Sequence, residues 1–131
     1  MISSLYDRLK DITETEFYDI VISAEIIHTY SGRARKLRIN LIDETFIDVW
    51  YSAIGEYSYH WEQREIRDAV YRHDNAPYQK WAGIKTFPKH YHDMQENTVV
   101  ESSISDNPDE AIREFISIVR EKLMELRFQA T

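Results

Sequence analysis

The sequence contains no cysteine. A disulfide framework and a thiolate metal site are therefore both excluded. Glycine is nearly as scarce, with Gly32, Gly55 and Gly83 standing far apart. Three isolated glycines cannot build a phosphate cradle, and neither a Gly-x-Ser-x-Gly elbow nor a zinc-protease helix signature occurs. No run approaches the roughly 20 apolar residues that span a bilayer. The start, Met1 to Lys10, carries charge where a signal peptide needs an apolar stretch. These absences lead to the expectation of a soluble, cytoplasmic protein with no membrane partner. No internal repeat, low-complexity tract or linker divides the 131 residues, so one domain covering 1–131 is expected.

Apolar residues make up 43% of the chain, with nine Tyr, five Phe and three Trp, enough to bury a core. The net charge of −7 speaks against broad electrostatic binding to nucleic acid. The charge is uneven, however. Residues 60–92 carry six Lys or Arg against four Asp or Glu, a local excess of two positive charges on an acidic body. A groove of that kind can contact a short stretch of phosphates while the remainder discourages indiscriminate binding.

Hydrophobic spacing outlines the elements. Ile2, Leu5, Leu9 and Ile12 recur at three and four residues, the stripe of a short amphipathic helix. The period then changes to two. Alternation predicts a strand over roughly 17–30, broken at Ser31-Gly32, then a second through Leu37, Ile39 and Leu41. Asp43-Glu44 makes a tight turn into a third at Ile47, Val49 and Tyr51. A fourth follows at Tyr57, Tyr59 and Trp61, and a fifth near 66–73. Such short connections require hairpins, because a parallel crossover needs a dozen or more residues. Residues 74–97 lose regular patterning and read as a long functional loop. Val99 and Val100 suggest a short sixth strand. Asn107 caps a final helix, with Pro108 in its first position, Asp109 and Glu110 in its first turn, and Ile112, Phe115, Ile116, Val119, Leu123 and Leu126 on one face. The expected class is α+β: a five- to six-stranded antiparallel meander with an N-terminal helix and a capped C-terminal helix.

Four of the five histidines fall between His60 and His92. Imidazole titrates near neutral pH, so a crowd of them beside Arg and Lys suits proton transfer, metal binding or phosphate contact. His90 and His92 stand two apart. In an extended segment both rings project from one face. Such a pair can serve as base and acid in phosphodiester cleavage, or chelate a transition metal with Asp74 or His73 as third ligand. Asp74-Asn75-Ala76-Pro77 is a turn, in which Asp74 is placed to orient an imidazole and Asn75 to donate to a phosphate. Arg72 and His73 point to opposite faces of their strand. Lys85 and Lys89 can offset charge on a phosphate. His60 reads as a half-buried, hydrogen-bonded strand residue, and His28 as structural. Tyr78, Trp81, Phe87 and Tyr91 have the chemistry to stack on bases.

Taken together, Asp74-Asn75-Ala76-Pro77, Thr86-Phe87-Pro88-Lys89-His90-Tyr91-His92 and a tyrosine-rich strand ending His60-Trp61 resemble the TumE family. The similar region covers roughly 45–125. His90 and His92 match the family pattern. Tyr78-Gln79 stand where it often carries histidines after the proline, and Lys89 replaces what is often a histidine. The resemblance implies the toxin of a two-gene toxin–antitoxin pair, with a cognate antitoxin of the small helix-turn-helix kind as partner. Small toxins of this sort commonly attack RNA or translation.

Residue chemistry and resemblance meet in one expectation: a small endoribonuclease that works without metal or cofactor. His90 and His92 form the acid–base pair, with His73 next and Asp74 as orienter. Arg72, Asn75, Lys85 and Lys89 contact the phosphates. The rival is a binding module without catalysis, whose histidine stretch docks the antitoxin or a nucleic acid. A histidine–aspartate metal hydrolase ranks third, lacking cysteines and a clear acidic pair. Self-association into a homodimer is left open.

Overall fold

The structure, a computed structural model, describes residues 2–130. Helix α1 (Ile2–Glu16) starts the chain. It runs one turn beyond the apolar stripe, and Phe17 then turns the backbone, its carbonyl accepting from the N–H groups of Ile20 and Val21 at 3.0 and 2.9 Å. The first strand is consequently shorter than the alternation predicts. Strands β1 (Val21–His28), β2 (Ala34–Leu41), β3 (Phe46–Tyr51) and β4 (Tyr57–Glu62) follow. Gly32 and Gly55, with φ of +90° and +89°, occupy the left-handed turn positions of two of the hairpins. Asp43-Glu44 turns the third: Glu44 takes φ +72°, and the Asp43 carboxylate accepts from the Thr45 N–H and hydroxyl at 3.2 and 2.6 Å.

The predicted fifth strand divides into a short helix α2 (Arg64–Arg67) and strand β5 (Val70–Asp74). The segment expected to be an irregular loop contains a 3₁₀ turn at Gln79–Trp81 and a whole strand, β6 (His90–Asp93). With β7 (Val99–Glu101), the sheet has seven strands in the order β1-β2-β3-β4-β5-β6-β7, every neighbour antiparallel. The α+β class stands, and the strand number exceeds the expected five or six. Helix α3 (Pro108–Ala130) closes the chain.

One sheet face is covered by α1 and α3. Leu37, Ile39, Ile47, Val49, Tyr59 and Trp61 are fully buried there against Tyr6, Leu9, Ile112, Phe115, Ile116 and Val119. The Phe115 ring packs on Tyr59 and Tyr71 at 5.6 and 5.3 Å between centroids. The Tyr6 hydroxyl donates to the Arg35 carbonyl and accepts from the Tyr51 N–H, which satisfies a polar group inside the apolar layer. The opposite face carries a charged network, in which Asp48 takes a two-pronged contact from Arg38 at 2.9 Å and a third bond from Lys36. Among the described residues, no helix is long and apolar enough to cross a membrane.

The cap of α3 is formed as its residues dictate: the Asn107 side-chain oxygen accepts from the N–H groups of Asp109 and Glu110 at 2.9 and 3.2 Å. Asn107→Ala is expected to cost about 1 kcal/mol of stability, read as a drop in denaturation midpoint. An unchanged midpoint would mean that packing alone holds this helix end.

Candidate active site

The sheet face away from α1 and α3 acquires its chemistry where β4, β5 and β6 lie side by side. Antiparallel register sets two rows across them. Ser58 pairs with Asp74 and Asp74 with His90; His60 pairs with Arg72 and Arg72 with His92. Residues opposite one another on neighbouring strands share a face, so Arg72, Asp74, His90 and His92 project together. The tight grouping of the two histidines follows from their spacing of two within a strand that the sequence patterning does not reveal.

The side chains converge closely. The His90 and His92 rings are 5.1 Å apart between centroids. His90 Nε2 lies 3.2 Å from Asp74 Oδ1. Ligand-type atoms of Asp74, His90 and His92 all fall within 4.8 Å of one another. Each imidazole is held from behind by a main-chain carbonyl: His90 Nδ1 donates to Pro88 and His92 Nδ1 to Glu96, both at 2.8 Å. A carbonyl only accepts, so in each ring Nδ1 carries a proton, and in His90 the other nitrogen, Nε2, is the one that faces Asp74. The Asp74 carboxylate is itself fixed, taking the Ala76 N–H at 2.9 Å on Oδ1 and Arg72 Nε at 3.1 Å on Oδ2.

Electrostatics separate the two histidines. Burial, together with the nearby Arg72 charge, holds the His92 imidazole below its ordinary range, so it is neutral near pH 7. His92 Nε2 has no protein partner among the described residues. His90 instead faces the carboxylate, a contact that is favourable only with a cation between the two atoms. Both histidines are deeply placed, at 1% and 3% exposure. Trp81, from the 3₁₀ turn, lies against them with its ring 6.3 Å from His90 and 6.1 Å from His92. Lys80 sits over that indole at 4.7 Å. Beside Asp74 and Arg72 opens a depression lined by Trp50, Ser58, Ala76 and Tyr78.

The other expected site residues go elsewhere. His73 faces the helices, as its alternation with Arg72 requires. Its Nδ1 bonds Ser102 at 2.7 Å, its Nε2 bonds Tyr71 at 2.8 Å, and its ring stacks on Tyr91 at 4.6 Å. With both nitrogens engaged and the sheet between, it does not join His90 and His92. Asn75 pins the β3–β4 turn, accepting from the Tyr57 N–H and donating to the Gly55 carbonyl. Lys89 ties the start of β6 to the Ile104 carbonyl and Asp106. Lys85 is exposed and makes no bond among the described residues. His60 is half-buried and bonded to Glu62 at 3.1 Å, as its strand position suggests. His28 is exposed at the end of β1. The sequence marks Trp81 only as an aromatic able to stack on bases and Lys80 only as one of the six positive charges of residues 60–92, not as neighbours of the two histidines. Their one signal is an aromatic and a base in a loop otherwise marked by Pro77, Gly83 and Pro88.

Comparison with known proteins returns one match and two blanks. No curated protein and no solved structure matches the chain at a significant level. A family model described as toxin TumE matches residues 7–123, from inside α1 to near the end of the buried face of α3. That span takes in all four residues of the histidine–aspartate–arginine cluster. A toxin family of this kind implies a cognate antitoxin as partner. The chain belongs to the TumE toxin family.

Proposed function

We propose that this toxin cleaves RNA at the cluster of Arg72, Asp74, His90 and His92, by acid–base chemistry that needs no metal. What supports the reading most is the tautomer lock: two imidazoles in contact distance, each with its proton on the nitrogen that faces away. His92 Nε2 is then a neutral, unpartnered base, suited to take the proton of a ribose 2′-hydroxyl. The 2′-oxygen attacks the adjacent phosphorus, and the bond to the 5′-oxygen breaks. His90 faces Asp74 Oδ1 through Nε2, and it acts as the acid when it carries a second proton there, giving that proton to the leaving oxygen. Products are a 2′,3′-cyclic phosphate and a free 5′-hydroxyl. Arg72, with 29% of its side chain exposed, offers the remaining guanidinium N–H groups to the phosphate oxygens. Trp81 and Tyr78 supply flat surfaces for bases alongside.

The test is incubation of purified protein with RNA in EDTA. Fragments ending in 2′,3′-cyclic phosphate support the reading. Cleavage that stops on chelation overturns the metal-free step. A complete lack of cleavage favours the second reading, a docking module for antitoxin or RNA, which the exposed Tyr78 beside Arg72 and Asp74 recommends. Arg72→Ala is expected to weaken RNA binding and to lower its salt slope by about 0.7, the share of one phosphate contact on a single strand. Filter binding at several salt concentrations reads both; an unchanged slope would remove Arg72 from the interface.

A further inference from the structure

Three electron-pair donors gather on the sheet face away from α1 and α3, and a single proton accounts for only part of that. A proton between His90 Nε2 and Asp74 Oδ1 satisfies that contact at 3.2 Å. It leaves His92 Nε2, on a side chain 3% exposed, aimed into the same space with nothing to bond. A metal ion answers all three atoms at once. The geometry points to a transition-metal site formed by Asp74, His90 and His92, of the class that zinc or cobalt occupies.

Four observations carry this. The donor atoms lie within 4.8 Å of one another. Around zinc, with bonds of about 2.0–2.1 Å, ligand atoms stand about 3.4 Å apart. The group therefore needs at most about 1.4 Å of contraction, within reach of small side-chain rotations. Second, both histidines donate Nδ1–H to a main-chain carbonyl, at 2.8 Å each. That outer bond is the usual support of a metal-bound imidazole, because it fixes the tautomer and raises the basicity of the other nitrogen. Third, the carboxylate is anchored by the Ala76 N–H and by Arg72, so it need not be ordered when an ion arrives. Fourth, the ligands come from adjacent strands whose register holds them face to face: Asp74 pairs with His90 across β5 and β6, and His92 follows two residues on.

The donor set also selects the ion. Two imidazoles and one carboxylate suit zinc, cobalt, nickel or iron, whereas magnesium and calcium demand oxygen. Three protein ligands leave a further position for water or a substrate oxygen. Arg72 is the opposing charge nearby, and its bond to Asp74 Oδ2 directs it away from Oδ1. The site stands on this geometry alone, without the RNA reading. An ion on His92 Nε2 takes the lone pair that metal-free cleavage uses, so the metal-loaded protein is the form in which that base is blocked and the EDTA-stripped protein the form in which it is free.

The test is titration of EDTA-stripped, desalted protein with cobalt(II) near neutral pH, followed by zinc. One equivalent of cobalt is expected to give the visible d–d bands of a four- or five-coordinate ion, and zinc to bleach them. Asp74→Asn and His92→Ala should each weaken binding at least tenfold. His28→Ala and His60→Ala should leave it unchanged, and magnesium should not compete. Absence of bands in the parent protein overturns the site, whatever the variants do. So do bands that persist in both Asp74→Asn and His92→Ala, or that vanish in His28→Ala. Because binding is read without RNA, loss of the metal site and loss of the cleavage reading register separately.

Discussion

RNA cleavage by the His92→Ala protein is expected to fall by roughly 10²–10⁴-fold, the range that a positioned general base contributes. His92 is the residue to test first because its environment gives it one open nitrogen and one anchored one. Nδ1 is bound to the Glu96 carbonyl, and burial keeps the ring neutral near pH 7. His90 is a less clean probe, since it sits 1% exposed beneath Asp74 and its loss leaves a buried carboxylate facing a void. Asp74→Asn is the companion variant. It retains an oxygen for the Ala76 N–H but removes the charge that faces His90 Nε2. A comparable loss is expected there, with unchanged circular dichroism. His73→Gln, on the other side of the sheet, is expected to cleave within a few-fold of the parent when assayed near pH 7. Should His92→Ala cut RNA at the parental rate in EDTA, the acid–base assignment fails, whatever metal binding shows.

The second large effect is on stability and concerns His73. Burial pushes its imidazole down to about 4, with charge at His90 and Lys89 acting in the same direction. In the unfolded chain an ordinary histidine titrates near 6.5. Between those values the unfolded state binds the extra proton, so acid favours unfolding. The contribution is complete above about pH 6.5, declines as pH falls toward 4 and changes no further below. At about 1.4 kcal/mol per pH unit, the loss across the window is about 3 kcal/mol. His60 and His92 are also held low by burial and steepen the same slope. A different window belongs to Glu62, which Arg64 holds down at about 2 and whose contribution is lost as pH falls from the ordinary carboxylate value toward about 2. Urea denaturation in EDTA from pH 7.5 to 4 reads the effect. His73→Gln should be less stable near neutrality, because Tyr71 and Ser102 lose a well-shaped partner. Its pH slope should be visibly shallower. Equal slopes in parent and variant would mean that His73 does not stay neutral in the folded protein.

Much of the scaffold is legible in the residues. Leu37, Ile39, Ile47, Val49, Tyr59 and Trp61 alternate with polar neighbours and line one buried face, and Asn107-Pro108 starts α3 where a capping amide and a proline belong. Local rules suffice there, because pleat and cap chemistry depend on near neighbours. The same rules fail at His90-Tyr91-His92-Asp93. A four-residue segment whose outer face is two histidines, preceded by Pro88, carries no strand signal of its own. It forms β6 because β5 and β7 lie on either side to complete the ladder. Strand formation in so polar a segment is a matter of context.

Spacing alone also fails to sort the histidines. Alternation separates Arg72 from His73, but cannot say which of them faces the helices. Packing of Phe115 and Tyr91 around His73 decides that. By itself, then, the sequence determined the class of fold, the capped final helix, the family, and the stretch in which chemistry concentrates, since each rests on residue type and short-range spacing. Only the tertiary structure decided that Asp74, His90 and His92 meet while His73, Asn75 and Lys89 serve the scaffold. The physical reason is cross-strand register: side-chain atoms of residues 16 to 18 positions apart come within 4.8 Å of one another only when antiparallel strands pair at one alignment, and a shift by a single residue would turn both imidazoles into the core.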